Sequence, residues 1–492
     1  LLDLKLIYSS YFYQNFEMPR LMKKLVLIVV LFAAITPAIA QQKWTLQQCI
    51  EQGLKNNISI MQADVNQQIN KVSYEQSKAN ILPTLNGGAT HTYNIGRTID
   101  RYTNTFANST VLSQNFYLGT QVTLWSGLSQ YNTIKQNQYS YLATKETVEQ
   151  RKNDLALNIA TNFLQVIYNN ELVKISQNQV DISKEQLDRV KKLVDAGSLA
   201  KSNEFDVAAQ LATDEFSFVS AKNNYALSML TLKQLINLDT LNNFDIEQPD
   251  FSEPQEALLN ATAWDVYQTA LKNQHNIKSA EYSLLSSEKS LAAARGRVSP
   301  SISFSGSIGT GYSGLGQRVV SYSPTGLYNV YATGSGIPVL DPNEISIPVL
   351  EKTPFADQFK DNVNKSVGFT LNVPLFNGLS TYSSIKTAKL QTLNSKYNYD
   401  LTKQQLYKTI AQAFADAQSS FNKFNAAKIA EQAASQSYNF TKQKYDAGAI
   451  SAFEFSTAKN RWLKSQSDVL NAKYDYIFKL KVLDFYQGKP LY

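Results

Sequence analysis

Two periodicities divide this chain. From Ser129 to about Asp195, and again from Ser380 to about Asp446, proline and internal glycine are absent. Apolar residues recur there at helical spacing, as in Leu155, Ile159, Phe163, Val166 and Ile167, then Leu187, Val190 and Val194. The spacing predicts helices, each roughly 67 residues and about 100 Å long at about 1.5 Å per residue. Small residues are frequent in Ala411–Ala434, which allows close helix packing. Elsewhere the period is two. In Phe116–Trp125, Phe116, Leu118, Thr120, Val122 and Leu124 alternate with Tyr117, Gly119, Gln121 and Thr123. Val367–Leu375 alternates apolar residues with Gly368, Thr370, Asn372 and Pro374, and Ser301–Gly309 alternates Ile302, Phe304 and Ile308 with serines. A weaker run, about Thr84–Ile95, places Leu85, Ala89, Tyr93 and Ile95 opposite Thr84, Asn86, Thr90 and Asn94.

Punctuation and repetition organise these elements. Asp-Ala-Gly stands at 195–197 and at 446–448. Glycine tolerates the left-handed conformation of a helix end, so both read as a helix stop, a turn and a new helix. The tip turns span about 195–205 and 446–455, the first one residue longer. Trp44 to Ile58 resembles Trp264 to Ile277, an offset of 220 at the tryptophans. Pro83 and Pro300 stand at an offset of 217, and both Gly127 with Gly378 and the two tip glycines at one of 251. The chain is therefore a duplication, 41–250 and 251–492. Each half reads helix, strand, loop, strand, long helix, tip turn, helix. The second also holds an insertion, as long as the difference between the offsets of 251 and 217. That insertion lies in Tyr312–Asn364, which reads as a long surface loop, as does Gly96–Leu112. Trp125 and Phe376 end their strands at the opposite rim, where a membrane-interface aromatic girdle belongs.

Taken singly, each strand fits a half-buried soluble sheet. Four together, about ten residues long and apolar on one side, fit a membrane barrel with lipid outside and water inside. Four strands cannot close a barrel, and an open edge cannot face lipid, so several protomers must contribute strands to one barrel. The fold class is a mixed α and β membrane protein, its long helices continuing the barrel as a tube.

Composition agrees. Charged residues are 18%, and Gln, Asn, Ser and Thr carry the remaining polarity, as a water-filled lumen requires. Of the net charge of +7, residues 1–40 supply +2 (Lys5, Arg20, Lys23 and Lys24 against Asp3 and Glu17), leaving a scattered +5 with no nucleic-acid footprint. One cysteine, Cys49, and two histidines, His91 and His275, offer no disulfide and no metal-ligand spacing. Cys49 reads as a buried helix residue and His275 as a solvated or equatorial one. His91 falls on the apolar strand face, which places it at the outer rim or means the register is off by one. Lys23-Lys24, the apolar run Leu25–Ala34 and Ala38-Ile39-Ala40 form a secretory signal peptide over 18–40; residues 1–17 read as an upstream extension. Asn237–Asn260, rich in Asn, Asp and Pro, reads as a link that belts the tube together with the C-terminal tail. No phosphate loop, nucleophile elbow or metal motif points to an enzyme or a cofactor.

From about Trp44 to Phe485 this order of elements resembles the TolC-like outer membrane efflux proteins. The resemblance rests on the duplication, the strand pairs, the helix lengths, the Leu-Trp-Ser-Gly and Leu-Phe-Asn-Gly corners at 124–127 and 375–378, and the Asp-Ala-Gly tips. It implies a homotrimer with a 12-stranded barrel in outer-membrane lipid and a periplasmic helical tunnel. It also implies a periplasmic adaptor (membrane fusion) protein and an inner-membrane transporter of RND or ABC type as partners. The adaptor-contact tips become Ala196, Gly197, Ser198 and Leu199, and Ala447, Gly448, Ala449 and Ile450. The family's acidic gate ring maps onto Glu454 and onto Thr457, where a fully acidic pattern has Asp. Glu204 and Asp206 are the acidic residues of the first tip, and for all three a carboxylate favoured by a helix N-terminus is the plain alternative. The resemblance implies an exit channel for small-molecule efflux. The exit duct of a type I protein secretion system and a secreted structural coiled coil remain the alternatives.

Overall fold

The computed structural model describes residues 43–489 apart from 101, 105, 108, 109, 239–243, 249–261, 333 and 335. The leader, the C-terminal tail beyond 489 and most of the Asn237–Asn260 link lie outside the described residues. The first half contains α1 (Leu46–Asn56), α2 (Ile58–Ala79), β1 (Thr84–Asn94), the short β2 (Thr98–Ile99) and β3 (Phe106–Ala107), β4 (Val111–Trp125), α3 (Ser129–Asp195) and α4 (Lys201–Leu235). The second contains α5 (Ala263–Asn273), α6 (His275–Gly296), β5 (Ser301–Ser313), β6 (Gln317–Ala332), β7 (Pro338–Lys352), α7 (Phe355–Asp361), β8 (Asn364–Asn372), α8 (Ser380–Asp446) and α9 (Ala452–Tyr486).

The element starts repeat at two offsets. Leu46, Ile58 and Thr84 open elements that recur at an offset of 217, with Ala263, His275 and Ser301; Ser129 and Lys201 recur at an offset of 251, with Ser380 and Ala452. Two sequence expectations are corrected by this. Trp44 and Trp264 are not equivalents: the equivalent N-caps are Thr45 and Thr262, each closing a capping box, so Trp44 precedes its helix and Trp264 lies inside α5. The tip turns are of equal length, because α4 and α9 start at the same distance after α3 and α8.

The strands β1-β4-β5-β8 form one antiparallel sheet in that order. Opposed residues share a face, so the register assigns the sides. One side carries rows such as Val122–Phe304–Phe369 and Leu85–Thr120–Gly306–Val367; the other carries Gln121–Ser305–Gly368 and Gly119–Ser307–Ser366. His91 lies opposite Gln114 on the apolar side, toward the loop end, with its Nδ1 2.7 Å from Gln114 Nε2. No slip of register is needed, and His91 lies near the end of β1 that leads into the Gly96–Leu112 loop. β8 ends at Asn372, so Phe376 lies beyond the strand and is exposed, whereas Trp125 does end β4.

The two loops are more ordered than expected. Gly96–Leu112 contains β2 paired with β3, and β4 begins within it at Val111. Within Tyr312–Asn364, β6 and β7 form a two-stranded ribbon. Its Pro324, Pro338, Pro342 and Pro348 argue against strands in a sheet interior, but a ribbon with two free edges accommodates residues lacking an N–H. α7 then covers the edge of β5 that β8 leaves unpaired. Gln358 accepts from the Ser313 N–H (2.9 Å) and donates to the Ser313 carbonyl (3.0 Å), and Asn362 donates to the Gly311 carbonyl (2.8 Å). Phe355 and Phe359 of α7 pack against Phe116.

Each sheet-to-helix corner uses two consecutive left-handed residues. Gly127 and Leu128 have φ +61° and +62°, and Gly378 and Leu379 have +62° and +63°. At the first corner the backbone crosses Gly296 so closely that a Cβ on either glycine would meet the other's carbonyl oxygen. Beyond the corners the helices line up as α2-α3-α6-α8, the order of the strands, with α4 packed on α3 and α9 on α8 and α3. Midway along α3, Cys49, Ile50, Ile159, Phe163 and Ile236 form a core; the second half repeats it with Val266, Tyr267, Ile277, Leu406 and Ile410. Trp44 joins the first core and forms a parallel bridge with Ile246 of the link. Burial pushes the Cys49 thiol up to about 12. His275 is not simply solvated: its Nδ1 lies 2.6 Å from Glu146 Oε2 between α6 and α3.

Candidate functional site at the hairpin tips

α3 and α8 end in the same hydrogen-bond pattern. The Ser198 N–H donates to the Leu193 carbonyl (2.8 Å) and Gly197 N–H to Val194 (2.9 Å); Ala449 donates to Lys444 (2.9 Å) and Gly448 to Tyr445 (3.0 Å). These are Schellman closures, with Gly197 and Gly448 at φ +74° and +75°. Ala196, Gly197, Ser198, Leu199, Ala447, Gly448 and Ala449 are exposed, and Ile450 is half-buried. Among the described residues, nothing would lie within 4 Å of a Cβ added at Gly197 or Gly448.

Glu454 and Thr457 lie on α9 rather than in the turn. Glu454 is exposed in the first helical turn, its N–H donating to Ser451 Oγ (3.3 Å), so the N-cap and the carboxylate share one helix end. Thr457 is exposed one turn on, its hydroxyl donating to the Phe453 carbonyl (2.9 Å). Asp206 is the equivalent of Thr457 at the offset of 251, and Glu204 pairs with Lys201 within α4. Among the described residues no cluster of His, Cys, Asp and Glu could hold a metal ion.

Apart from Asp446, the groups that join the tips lie outside the Asp-Ala-Gly motifs. Arg189 of α3 pairs with the Asp446 carboxylate, donates to the Asp446 carbonyl (3.0 Å) and lies 5.1 Å over the Tyr445 ring. Tyr445 stacks on Phe455 at 4.7 Å, and Tyr438 on Trp462 at 4.6 Å. Burial, then the nearby Glu185 and Asp446 carboxylates, raise the Tyr438 phenol. Deeper in, Lys459 of α9 reaches Ser183 of α3 and Asp214 of α4, its Nζ 2.8 Å from Asp214 Oδ2. Ser183 also donates to Asp214, and Gln179 and Gln210 complete the carboxylate shell at 2.6 and 2.8 Å. The sequence does carry a signal for this network: Lys459 sits four residues from both Phe455 and Leu463 on the buried stripe of α9, where an apolar residue belongs.

Such an arrangement holds the ends of α3, α4, α8 and α9 together. The family model described as "Outer membrane efflux protein" matches residues 49–238 and 266–488, most of the chain. The chain belongs to the outer membrane efflux protein family. It is a channel protein, not an enzyme. Toxin and drug export protein A of Aggregatibacter actinomycetemcomitans is 24% identical over 441 residues, covering 88% of this chain and 83% of that protein. The outer membrane protein TolC of Escherichia coli K12 is 22% identical over 469 residues, covering 93% and 84%. Among solved structures, CusC aligns with a TM-score of 0.73 at 17% identity, covering 90% of this chain and 92% of that one. The open state of MtrE from Neisseria gonorrhoeae aligns at 0.71 and 18%, covering 91% and 89%. For an outer membrane efflux protein, the sheet and the helical layer are the two walls that matter, and the tips lie at the end remote from the sheet.

Proposed function

We propose that this chain is the exit channel of a tripartite efflux pump. Three copies form a 12-stranded barrel in the outer membrane and a helical tunnel in the periplasm, delivered there by the 18–40 signal peptide. One observation carries the reading: a four-stranded sheet, apolar on one side, polar on the other and open at both edges, continues into helices arranged in the same order. A wall of that kind needs further copies to close it, and its polar side then lines water.

In this reading the tips Ala196–Leu199 and Ala447–Ile450 receive a periplasmic adaptor, which couples the channel to an inner-membrane transporter. Glu454 rings the closed end. Opening moves the tip helices outward and separates the Glu454 carboxylates. Small molecules are the proposed cargo. A second reading, a duct for secreted protein, draws support from the relative whose name includes both toxin and drug export.

Recordings from purified protein in planar bilayers test the proposal. Discrete conductance steps from a heat-modifiable trimer of outer-membrane fractions are expected. Extraction of the mature chain without detergent, with no conductance, would return it to a secreted coiled coil.

A further inference from the structure

We propose that the groove between α6 and α8, on the outer side of the helical wall, binds an anionic phospholipid from the adjoining membrane leaflet. The inference rests on the channel reading above and adds a ligand site to it. The groove holds about 600 Å³, with apolar walls formed by Leu284 and Leu291 of α6 and by Tyr382, Ile385 and Leu393 of α8. Lys386, Lys389 and Lys396 stand along it against one acid, Glu288. Among the described residues none of these three lysines pairs with a carboxylate, whereas Lys152, Lys174 and Lys479 on other helices do.

The side and the level of the groove select the ligand. At about 100° per residue, Thr387, Gln391, Asn394 and Asn398 fall on the opposite side of α8. They are exposed, polar and uncharged, as a lumen wall requires. The groove therefore faces away from the water-filled interior. α9 ends at Tyr486, which packs beside Leu406 and Ile410, well below the groove. α8 starts at Ser380, directly after the corner at Gly378 and Leu379. Lys386 and Lys389 follow about 9 and 14 Å along its axis, just below a headgroup layer about 5–8 Å deep. Long lysine stems let the ammonium groups reach up to a phosphate, while the apolar walls take an acyl chain.

The first half shows that the fold alone does not make this groove. At the offsets of 217 and 251, Leu291 and Thr392 correspond to Tyr74 and Tyr141, whose rings stack at 6.5 Å between α2 and α3. Lys386 corresponds to Lys135 and Lys389 to Gln138, and the Lys135 Nζ donates to Gln138 Oε1 (3.1 Å). One half thus fills the place with two rings and gives its lysine a partner. The other leaves it open: Thr392 donates to the Ser287 carbonyl (3.1 Å), and the lysines stand unpaired beside apolar walls. An anionic amphiphile satisfies both the lysines and the walls, which a free anion does not.

Native mass spectrometry of the protein purified in mild detergent, with phosphatidylglycerol or phosphatidylcholine added, tests this. Retention of phosphatidylglycerol by each chain, in preference to phosphatidylcholine, is expected. Lys386→Gln with Lys389→Gln should weaken that retention roughly 30-fold, the factor for two lysines beside an anionic lipid surface. Leu291→Tyr with Thr392→Tyr restores the aromatic pair and keeps every lysine, and it should abolish retention. Lys135→Gln should leave it unchanged. Retention that survives the two tyrosines belongs to surface charge and overturns the groove. Equal retention of both lipids overturns the site as well, and so does an acidic protein that co-purifies on the groove in place of lipid. Any of these results in protein that still conducts in planar bilayers removes the lipid site and spares the channel reading. Absence of conductance and of the protein from outer-membrane fractions overturns that reading itself.

Discussion

Lys459 Nζ lies 2.8 Å from Asp214 Oδ2, and neither side chain reaches solvent. The pair joins α9, from the second half, to α4, from the first, within reach of the tips. Breaking a buried ion pair by removing one partner leaves a desolvated charge, a loss of about 3–5 kcal/mol, whereas replacing both by apolar residues is often neutral. Lys459→Met is therefore expected to lower the guanidinium midpoint strongly, and Lys459→Met with Asp214→Leu to restore most of it. At the offset of 251, the counterparts of Lys459, Ser183 and Asp214 are Ala208, Ala434 and Ser465, which cannot rebuild the network between copies. A double variant no more stable than the single one would mean that the pair is not the determinant.

Arg189 and Asp446 also join the halves, but both are part-exposed, and exposed pairs contribute only about 0.2–1 kcal/mol. Arg189→Ala is thus expected to leave the unfolding midpoint nearly unchanged. If the tips open as proposed, its effect is expected there, since the guanidinium holds the last residue of α8 and covers Tyr445. Single-channel recordings should show longer open times than the wild type. Unaltered open times together with an unaltered midpoint would make this contact incidental.

Much of the architecture was legible because the long helices have no competing signal: Ser129–Asp195 and Ser380–Asp446 contain neither proline nor glycine, and their ends coincide with the sequence bounds. Strand faces were legible because alternation survives in β4, β5 and β8. Two things were hidden, for different reasons. The prolines of β6 and β7 mark loops by every local rule, and only the free edges of a ribbon make them acceptable. The Lys459–Asp214 pair was hidden as a pair: Lys459 stands out on the apolar stripe of α9, but its partner lies in the other half of the chain. Glu454 was readable as a helix-start carboxylate, but nothing local distinguishes a cap-side acid from a gate.

Glu454 is the tip acid that the gate assignment depends on. Carboxylates converging from several copies bind multivalent cations by charge density, which falls steeply when one charge per protomer is removed. Glu454→Ala should weaken block by trivalent cations at the periplasmic side. Thr457→Asp, which adds a second acidic turn on the same exposed side of α9, should strengthen it. Block that ignores both substitutions places the constriction elsewhere.

Cys49 reports integrity of the first mid-helix core. Its folded thiol, pushed up to about 12 by burial, stays protonated at pH 8.5, where an unfolded thiol near its ordinary value of about 8.5 is half ionised. Only the thiolate attacks a disulfide reagent. Because the folded pKa is raised, the neutral thiol favours the folded state, and this contribution declines as pH rises above the unfolded value. Labelling at pH 8.5 should be negligible in the native channel and should rise with the same guanidinium midpoint as the loss of helical signal. Rapid labelling of native protein would contradict the burial.

Gly127 and Gly378 make the same left-handed corner, at φ +61° and +62°, in different surroundings. Alanine at either position meets the left-handed conformation, a cost of about 1–2 kcal/mol. At Gly127 the new methyl also collides with the Gly296 carbonyl and with Ser299, all held by backbone that cannot rotate away. At Gly378 no described atom lies within 4 Å. Gly127→Ala should therefore lower the unfolding midpoint of the detergent-solubilised protein well beyond Gly378→Ala. Equal shifts would mean that the corner conformation alone sets the cost and that the close crossing of Gly127 with Gly296 contributes nothing.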